Sequence, residues 1–248
     1  MKKFKSIFIA LLGKILRGMQ LRVKQFNDID NFESYLYFLL QKKKTLSFIQ
    51  IGANDGKMAD PIYDFVSRNH ERVKGIAVEP MKDVFQQLVN NYKLYNEIVP
   101  INLAIHNIKK EVTLWRIDPE KEHLLPLWAK GIASFDREHL VKKNLEEHMI
   151  AETVQCISLG DLVDKYNFAN VDLLQIDTEG YDSEIILNIN FNKIKPQIIH
   201  FEHGFCHSHM NEQTLLKVRK YLHDNGYEIA FSSYDATAYL PEFIIQGD

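Results

Sequence analysis

From residue 46 onward the chain alternates short apolar runs with amphipathic stretches, and that rhythm restricts the fold more than any other feature. LSFIQI (46–51), VKGIAVEP (73–80) and IVPINLAI (98–105) have the length and β-branched content of strands. Between them, DPIYDFVSRNH (60–70) and DVFQQLVNNYKLY (83–95) read as helices, the first with Asp60 as N-cap and Pro61 in its first turn. Strands joined through crossover helices lie parallel. Farther on, TVQCIS (153–158), VDLLQI (171–176) and PQIIHFE (196–202) read as strands and DSEIILNI (182–189) as a short helix. SLGDLVDKY (158–166) is a helix opened by Ser158, with Asp161 in the capping-box place, and NEQTLLKVRKYLHDNG (211–226) is a helix stopped at Asn225-Gly226. YEIAFSSY and ATAYLPEFII close the chain as an antiparallel hairpin. The expected architecture is α/β: a Rossmann-like, doubly wound, mostly parallel sheet with a C-terminal antiparallel hairpin.

Two segments fall outside this rhythm. EVTLWRI (111–117) reads as an additional strand, and the stretch from about 118 to 150 is too long for a plain connection. Ordering it has an entropic cost that packing or ligand contact must offset, so it is expected to form a lid over the substrate. Trp128 within it offers an aromatic face to a sugar ring or to the protein's own core. At the other end, residues 1–27 carry Lys2, Lys3, Lys5 and Arg17 and no acidic residue. Their apolar part, IFIALLGKIL, is interrupted by Lys14, falls short of a membrane span and lacks a signal-peptide cleavage site. Docking onto the protein's own core and peripheral contact with an anionic membrane both remain open for this helix. Residues 1–45 are therefore read as a basic, amphipathic helical extension and 46–248 as the main domain.

A chain of 248 residues with 46% apolar content can bury a substantial core. Its net charge of −3 supplies no electrostatic footprint for a nucleic-acid partner. Cys156 and Cys206 are too few for a disulfide framework, which points to the cytoplasm, at the inner face of the membrane if residues 1–27 rest there. Oligomeric state is not legible.

The polar chemistry gathers where strands end, the edge at which open α/β sheets bind ligands. Gly52 to Lys57 follow the first strand, Glu79 the second, and Asp177-Thr178-Glu179-Gly180 and Glu202-His203 later ones. The loop IGANDG differs from the dinucleotide fingerprint, since Asn54 stands where a glycine must let a pyrophosphate approach, and no Gly-Lys-Ser/Thr follows to make a phosphate loop. Glu79 is placed to accept hydrogen bonds from ribose hydroxyls. A nucleoside without a diphosphate fits, and S-adenosyl-L-methionine is such a ligand. A nicotinamide-dependent oxidoreductase, which Asn54 disfavours, and a non-catalytic nucleoside-binding module are the alternatives.

In that order and spacing, IQIGANDG, AVEP, LLQIDTEGYD and IIHFEHG resemble the FkbM-family methyltransferases over roughly residues 46 to 205. The resemblance implies a class I methyltransferase domain that uses S-adenosylmethionine to methylate hydroxyl groups of sugars and other metabolites. It implies a cofactor loop of Gly52, Asn54 and Gly56, with Asp55 as a further contact, and Glu79 on the ribose. Asn102 and Ala104 would lie beside the adenine, and Asp177 would touch the cofactor. Asp177 and Glu179 match the family's acidic pair and Glu202 its acid after the fifth strand. The implied acceptor is a sugar, a nucleotide-sugar or a lipid-linked glycan.

Methyl transfer to a hydroxyl needs in-line positioning and a base. His203 is the first candidate, because imidazole titrates near neutrality; Asp177 and Glu179 compete for the role. Asp177, Glu179, Glu202 and His203 also form a candidate set for a divalent metal, with Cys206, His207 and His209 following in sequence.

Overall fold

The computed structural model describes residues 32–204 and 210–242. The basic helix expected over residues 1–27, and Cys206, His207 and His209, lie outside them. The first described elements are α1 (Phe32–Lys42), β1 (Leu46–Ile51), α2 (Tyr63–Asn69), β2 (Val73–Val78), α3 (Lys82–Tyr92), β3 (Ile98–Ile101), β4 (Ala104–Ile105) and β5 (Glu111–Ile117). It continues with β6 (Ala133–Ser134), α4 (Arg137–Lys142), β7 (Met149–Ile157), α5 (Leu159–Lys165), β8 (Leu173–Ile176), α6 (Asp182–Ile186) and β9 (Ile198–Glu202). The last described elements are α7 (Glu212–Asp224), β10 (Glu228–Phe231) and β11 (Asp235–Tyr239).

Seven strands form the central sheet in the order β10-β11-β9-β8-β1-β2-β3. β3, β2, β1, β8 and β9 are mutually parallel, while β11 runs antiparallel to both β9 and β10. This is the Rossmann-like sheet with a terminal hairpin that the alternation implies. Every residue of β1 and β8 is buried, as befits strands covered on both faces by crossover helices. Each buried aliphatic side chain in such a layer contributes roughly 1.5–3 kcal/mol. The chain winds outward from β1 through β2 to β3, then returns to build β8 and β9 on the other side. A crevice opens at such a reversal, outside the carboxyl ends of β1 and β8.

α1 belongs to the same core, although the sequence grouped it with the N-terminal extension. It buries Phe32, Leu36, Leu39 and Leu40. The Phe32 ring stacks on His200 of β9, centroids 3.8 Å apart, and His200 Nδ1 lies 2.9 Å from Thr237 Oγ1 of β11. At its far end the Lys43 ammonium pairs with buried Asp172, which also accepts from Ser47 N at 2.8 Å and Ser47 Oγ at 2.9 Å.

Three elements differ from the sequence reading. The run 98–105 is two strands: β3 ends at Ile101 in the central sheet, and Ala104–Ile105 pairs with β7 in another. TVQCI, the run up to Ile157, lies within the longer β7, which joins that second sheet, ordered β4-β7-β5-β6, rather than the central one. The apolar spacing of these runs is the same in either sheet, so periodicity alone did not assign them. α2 starts at Tyr63, leaving Pro61 outside it, yet Asp60 Oδ1 still accepts from Ile62 N at 2.8 Å and Tyr63 N at 2.7 Å.

The second sheet carries the insertion on its own footing. β5 and β7 pair antiparallel from Glu111↔Gln155 to Ile117↔Met149. Ile117, Ala129, Ile132, Leu140 and Leu145 make a separate small core. Arg116 of β5, only 3% exposed, ties this sheet to α3, donating from Nη1 and Nη2 to Asp83 at 2.6 and 2.8 Å and from Nη1 to Glu152 at 3.0 Å. Among the described residues no helix is long and apolar enough to cross a membrane.

Candidate active site

β1 and β8 leave the sheet side by side, and their loops interlock. Asp177 N donates to Ile51 O at 2.9 Å, while Gly52 N and Ala53 N donate to Val78 O, both at 3.0 Å. Gly52 sits at φ +78, where a Cβ would lie 1.7 Å from the Asp177 carbonyl oxygen, so only glycine admits this approach. The chain continues through Asn54 at φ 49, whose N–H donates to Glu79 Oε2 at 3.0 Å. Glu79 Oε1 accepts from Met81 N at 2.8 Å. Both carboxylate oxygens are thus fixed by backbone donors, and each keeps a lone pair for a ligand.

These loops border a cavity of about 650 Å³, within the range of small-molecule sites. Gly52, Ala53 and Asn54 contribute from the first loop, Glu79, Pro80 and Met81 from the second, and Leu103, Ala104 and Ile105 from the break between β3 and β4. Asp177, Thr178 and Glu179 contribute from the β8 exit. The insertion supplies Leu127, Trp128, Lys130, Gly131, Ile132, Ala133 and Phe135. The segment from 118 to 150 therefore meets the cavity directly.

Four acids face this space with different proton affinities. Glu79 is 2% exposed; burial pushes it up to about 7, against the Met81 and Asn54 hydrogen bonds and the Arg116 charge, which lower it. Asp177 as a residue is exposed at the cavity, while its carboxyl is closely surrounded by protein. Burial, and then the charges of Asp182, Glu202, Glu179 and Asp235, push its carboxyl well above the usual carboxylate range. Asp60 is raised by burial, although it accepts from Gln50 Nε2 at 2.7 Å. Glu179 goes the other way. Burial would raise it, but the His139 hydrogen bond and the Lys143 charge prevail and hold it at about 2.

A family model described as Methyltransferase FkbM domain matches residues 50–229. The chain belongs to the FkbM methyltransferase family. It is a methyltransferase, and the family's methyl donor is S-adenosylmethionine. Comparison with curated protein sequences gave no match. Among solved structures, the chain is similar to a precorrin-6y C5,15-methyltransferase from Geobacter metallireducens at 15% identity, covering 88% of this chain and 93% of that one with a TM-score of 0.41. It is similar to a human methyltransferase 10 domain containing protein at 12% identity, 93% coverage of both chains and a TM-score of 0.45. It is also similar to Aeropyrum pernix fibrillarin with natively bound S-adenosyl-L-methionine at 14% identity, covering 83% and 73%, with a TM-score of 0.41.

The donor set fits the FkbM cofactor: a buried acid for ribose hydroxyls, an apolar wall of Met81, Leu103, Ala104 and Ile105 for a base, and acid at Asp177 for a cationic tail. Not every residue singled out from the sequence faces the cavity. Asp55 Oδ1 accepts from Lys57 N at 2.8 Å and Met58 N at 2.6 Å, so its side chain builds the loop from within. Gly56, at φ +71, is packed against Leu88 and Tyr92 of α3. Asn102 donates from Nδ2 to Glu79 O and Pro80 O, both at 2.9 Å; it braces the β2 exit and leaves the cavity wall to Leu103 and Ala104.

His203 is likewise not among the cavity-lining residues. It is 5% exposed, its N–H donates to Tyr234 O at 2.9 Å, its ring lies edge-on to Phe231 at 5.6 Å, and Nε2 is 3.4 Å from Ser232 O. Burial lowers its pKa. The ring is thus tucked under the β10–β11 turn. Glu202 does not line the cavity either, and its N–H donates to Asp182 Oδ1 at 3.3 Å. The set Asp177, Glu179, Glu202 and His203 does not converge: among the described residues no three His, Cys, Asp or Glu side chains are grouped to hold a metal.

The structure adds residues that sequence reasoning passed over. Asp182, 2% exposed and raised to about 6 by burial, accepts from Thr178 Oγ1 at 2.6 Å and Thr178 N at 3.2 Å, shaping the turn after Asp177. Arg116, near the end of β5, was not singled out from the sequence. Ser134, His139 and Lys143, which reach Glu179 from the insertion, gave no local signal.

Proposed function

We propose that this protein is an O-methyltransferase that moves the methyl group of S-adenosylmethionine to a hydroxyl of a sugar or glycan precursor, free, nucleotide-linked or lipid-linked. The observation that carries the reading is Asp177, an acid at the end of β8 that faces the cavity beside the first loop and whose surroundings raise its proton affinity. S-adenosylmethionine, when bound, supplies a methyl group on a sulfonium centre. Glu79 accepts from the ribose hydroxyls with the lone pairs that Asn54 N and Met81 N leave unused. Asp177 takes the proton of the acceptor hydroxyl, and a cation bound beside it favours the ionised form that this role needs. The insertion keeps water from the reacting atoms. Trp128 supports a sugar acceptor, since its ring borders the cavity while remaining 60% exposed, free to stack on the apolar face of a pyranose.

The test is transfer of isotopically labelled methyl from S-adenosylmethionine to a panel of free sugars, nucleotide-sugars and lipid-linked glycans. Label in an alkali-stable ether supports the reading. Label found only in alkali-labile esters or on amines sinks it.

A further inference from the structure

The insertion meets the central domain at its stem and again near its tip, and the two attachments are built differently. The stem is the β5–β7 pair, pinned to α3 by Arg116 and Asp83. The second attachment gathers on one residue, Glu179. Its carboxylate accepts from Lys143 Nζ at 3.1 Å and pairs with His139 Nε2 at 2.9 Å, and its backbone carbonyl accepts from Ser134 Oγ at 2.8 Å. Glu179 holds φ 51, a left-handed conformation that a side chain adopts only where the surroundings impose it. Nearby, the Asn54 side chain packs so tightly on Gly131, at φ +77, that a Cβ there would lie 2.4 Å from Asn54 Nδ2.

We infer that Ser134, His139 and Lys143 are positioning residues that clamp the insertion over the cavity through Glu179. Between the clamp and the stem lie Leu127, Trp128, Lys130 and Gly131, which border the cavity. With the clamp closed, this stretch is held against both the loop after β1 and the turn after β8. With it open, the β5–β6 pairing (Trp115↔Ser134, Arg116↔Ala133) and the small core around Ile117 still hold the stem, and the loop of residues 118–128 loosens over the cavity. Ligand entry and release then pass through the opening of Glu179's contacts, and an acid adjacent to the catalytic one acts in gating rather than in proton transfer.

The experiment compares the full chain with Glu179→Gln, Lys143→Ala and the conservative Lys143→Arg. Hydrogen exchange reports the segments, and stopped-flow Trp fluorescence reports S-adenosylhomocysteine binding. The clamp predicts faster exchange confined to roughly residues 118–131 and 135–145 in Glu179→Gln and Lys143→Ala, with β5, β6 and β7 unchanged. It also predicts association and dissociation rates of S-adenosylhomocysteine that both rise, by about tenfold for a gate held by charge-assisted bonds, and that Lys143→Arg restores. Unchanged exchange and rates overturn it. So does a uniform rise in exchange across the domain, which marks these residues as merely structural. The inference rests on the methyltransferase reading only for its probe. If the unmodified protein does not bind S-adenosylhomocysteine, that reading fails, and exchange alone still decides the clamp.

Discussion

Gly52 and Asp177 approach so closely that the α-carbon of one faces the carbonyl oxygen of the other with no room for a methyl group: a Cβ at residue 52 would sit 1.7 Å from Asp177 O. This contact joins the loop after β1 to the turn after β8, and so sets the distance between Asn54 and the acid across the crevice. The Gly52→Ala variant combines this clash with an unfavourable positive φ and is expected to lose roughly 2–4 kcal/mol of stability. Urea denaturation measures the loss, and calorimetry should find S-adenosylhomocysteine binding abolished even where the variant stays folded.

Glu79 gives a pH dependence of definite sign. Its folded pKa is raised to about 7 from an ordinary 4.5, so its contribution to stability is full below about pH 4.5 and is lost as pH rises through about 7. In the proposed cofactor pose ribose hydroxyls donate to the ionised carboxylate, so cofactor binding runs the opposite way. Affinity for S-adenosylhomocysteine should rise as pH increases from 6 to 8, by up to about tenfold per unit below the midpoint. Glu79→Gln should bind more weakly and without this pH dependence. Arg116 lowers the Glu79 pKa, so Arg116→Met should move the midpoint to higher pH.

The choice of proton acceptor sets His203, the first candidate from the sequence, against Asp177. Asp177→Asn removes the proposed base, which borders the cavity, and should cut kcat by roughly 10²- to 10⁴-fold. His203→Ala, away from the cavity, should leave kcat near normal and lower the melting temperature instead, because a buried, hydrogen-bonded ring is lost. Single-turnover methylation alongside thermal melts checks both, and a large loss of kcat in His203→Ala would return the catalytic role to the imidazole.

Acid should open the insertion before it unfolds the domain. Glu179 is held at about 2 against an ordinary 4.5, so its stabilising contribution is present above about pH 4.5 and is lost as pH falls through about 2. Near-ultraviolet circular dichroism of Trp128 should change over this interval, and the change should be absent from Glu179→Gln.

The parts of the molecule written in local signals were legible in the sequence. The strand at 46–51, the glycine at 52, the acid at 79 and the block at 176–180 each announce themselves within a few residues, and together they define the central sheet and its crevice. What failed was side-chain direction and partnership at a distance. His203 follows a strand at the ligand edge, but whether its ring turns toward the crevice or beneath β11 depends on the hairpin formed some 30 residues later. Asp55 and Asn102 satisfy nearby backbone groups, a habit of short polar side chains in loops that could have been anticipated. The His139–Glu179 pair spans 40 positions and has no sequence signature.

Among the described residues, the sheet that carries the insertion shares no hydrogen-bonded ladder with the central one. Loop length and side chains between β5 and β7 are therefore free to diverge without shifting the register that sets Glu79 and Asp177. In engineering terms, residues 118–148 are a graft site: a foreign segment inserted after an intact Arg116 anchor, with its own partners for Glu179, should inherit an unaltered cofactor half.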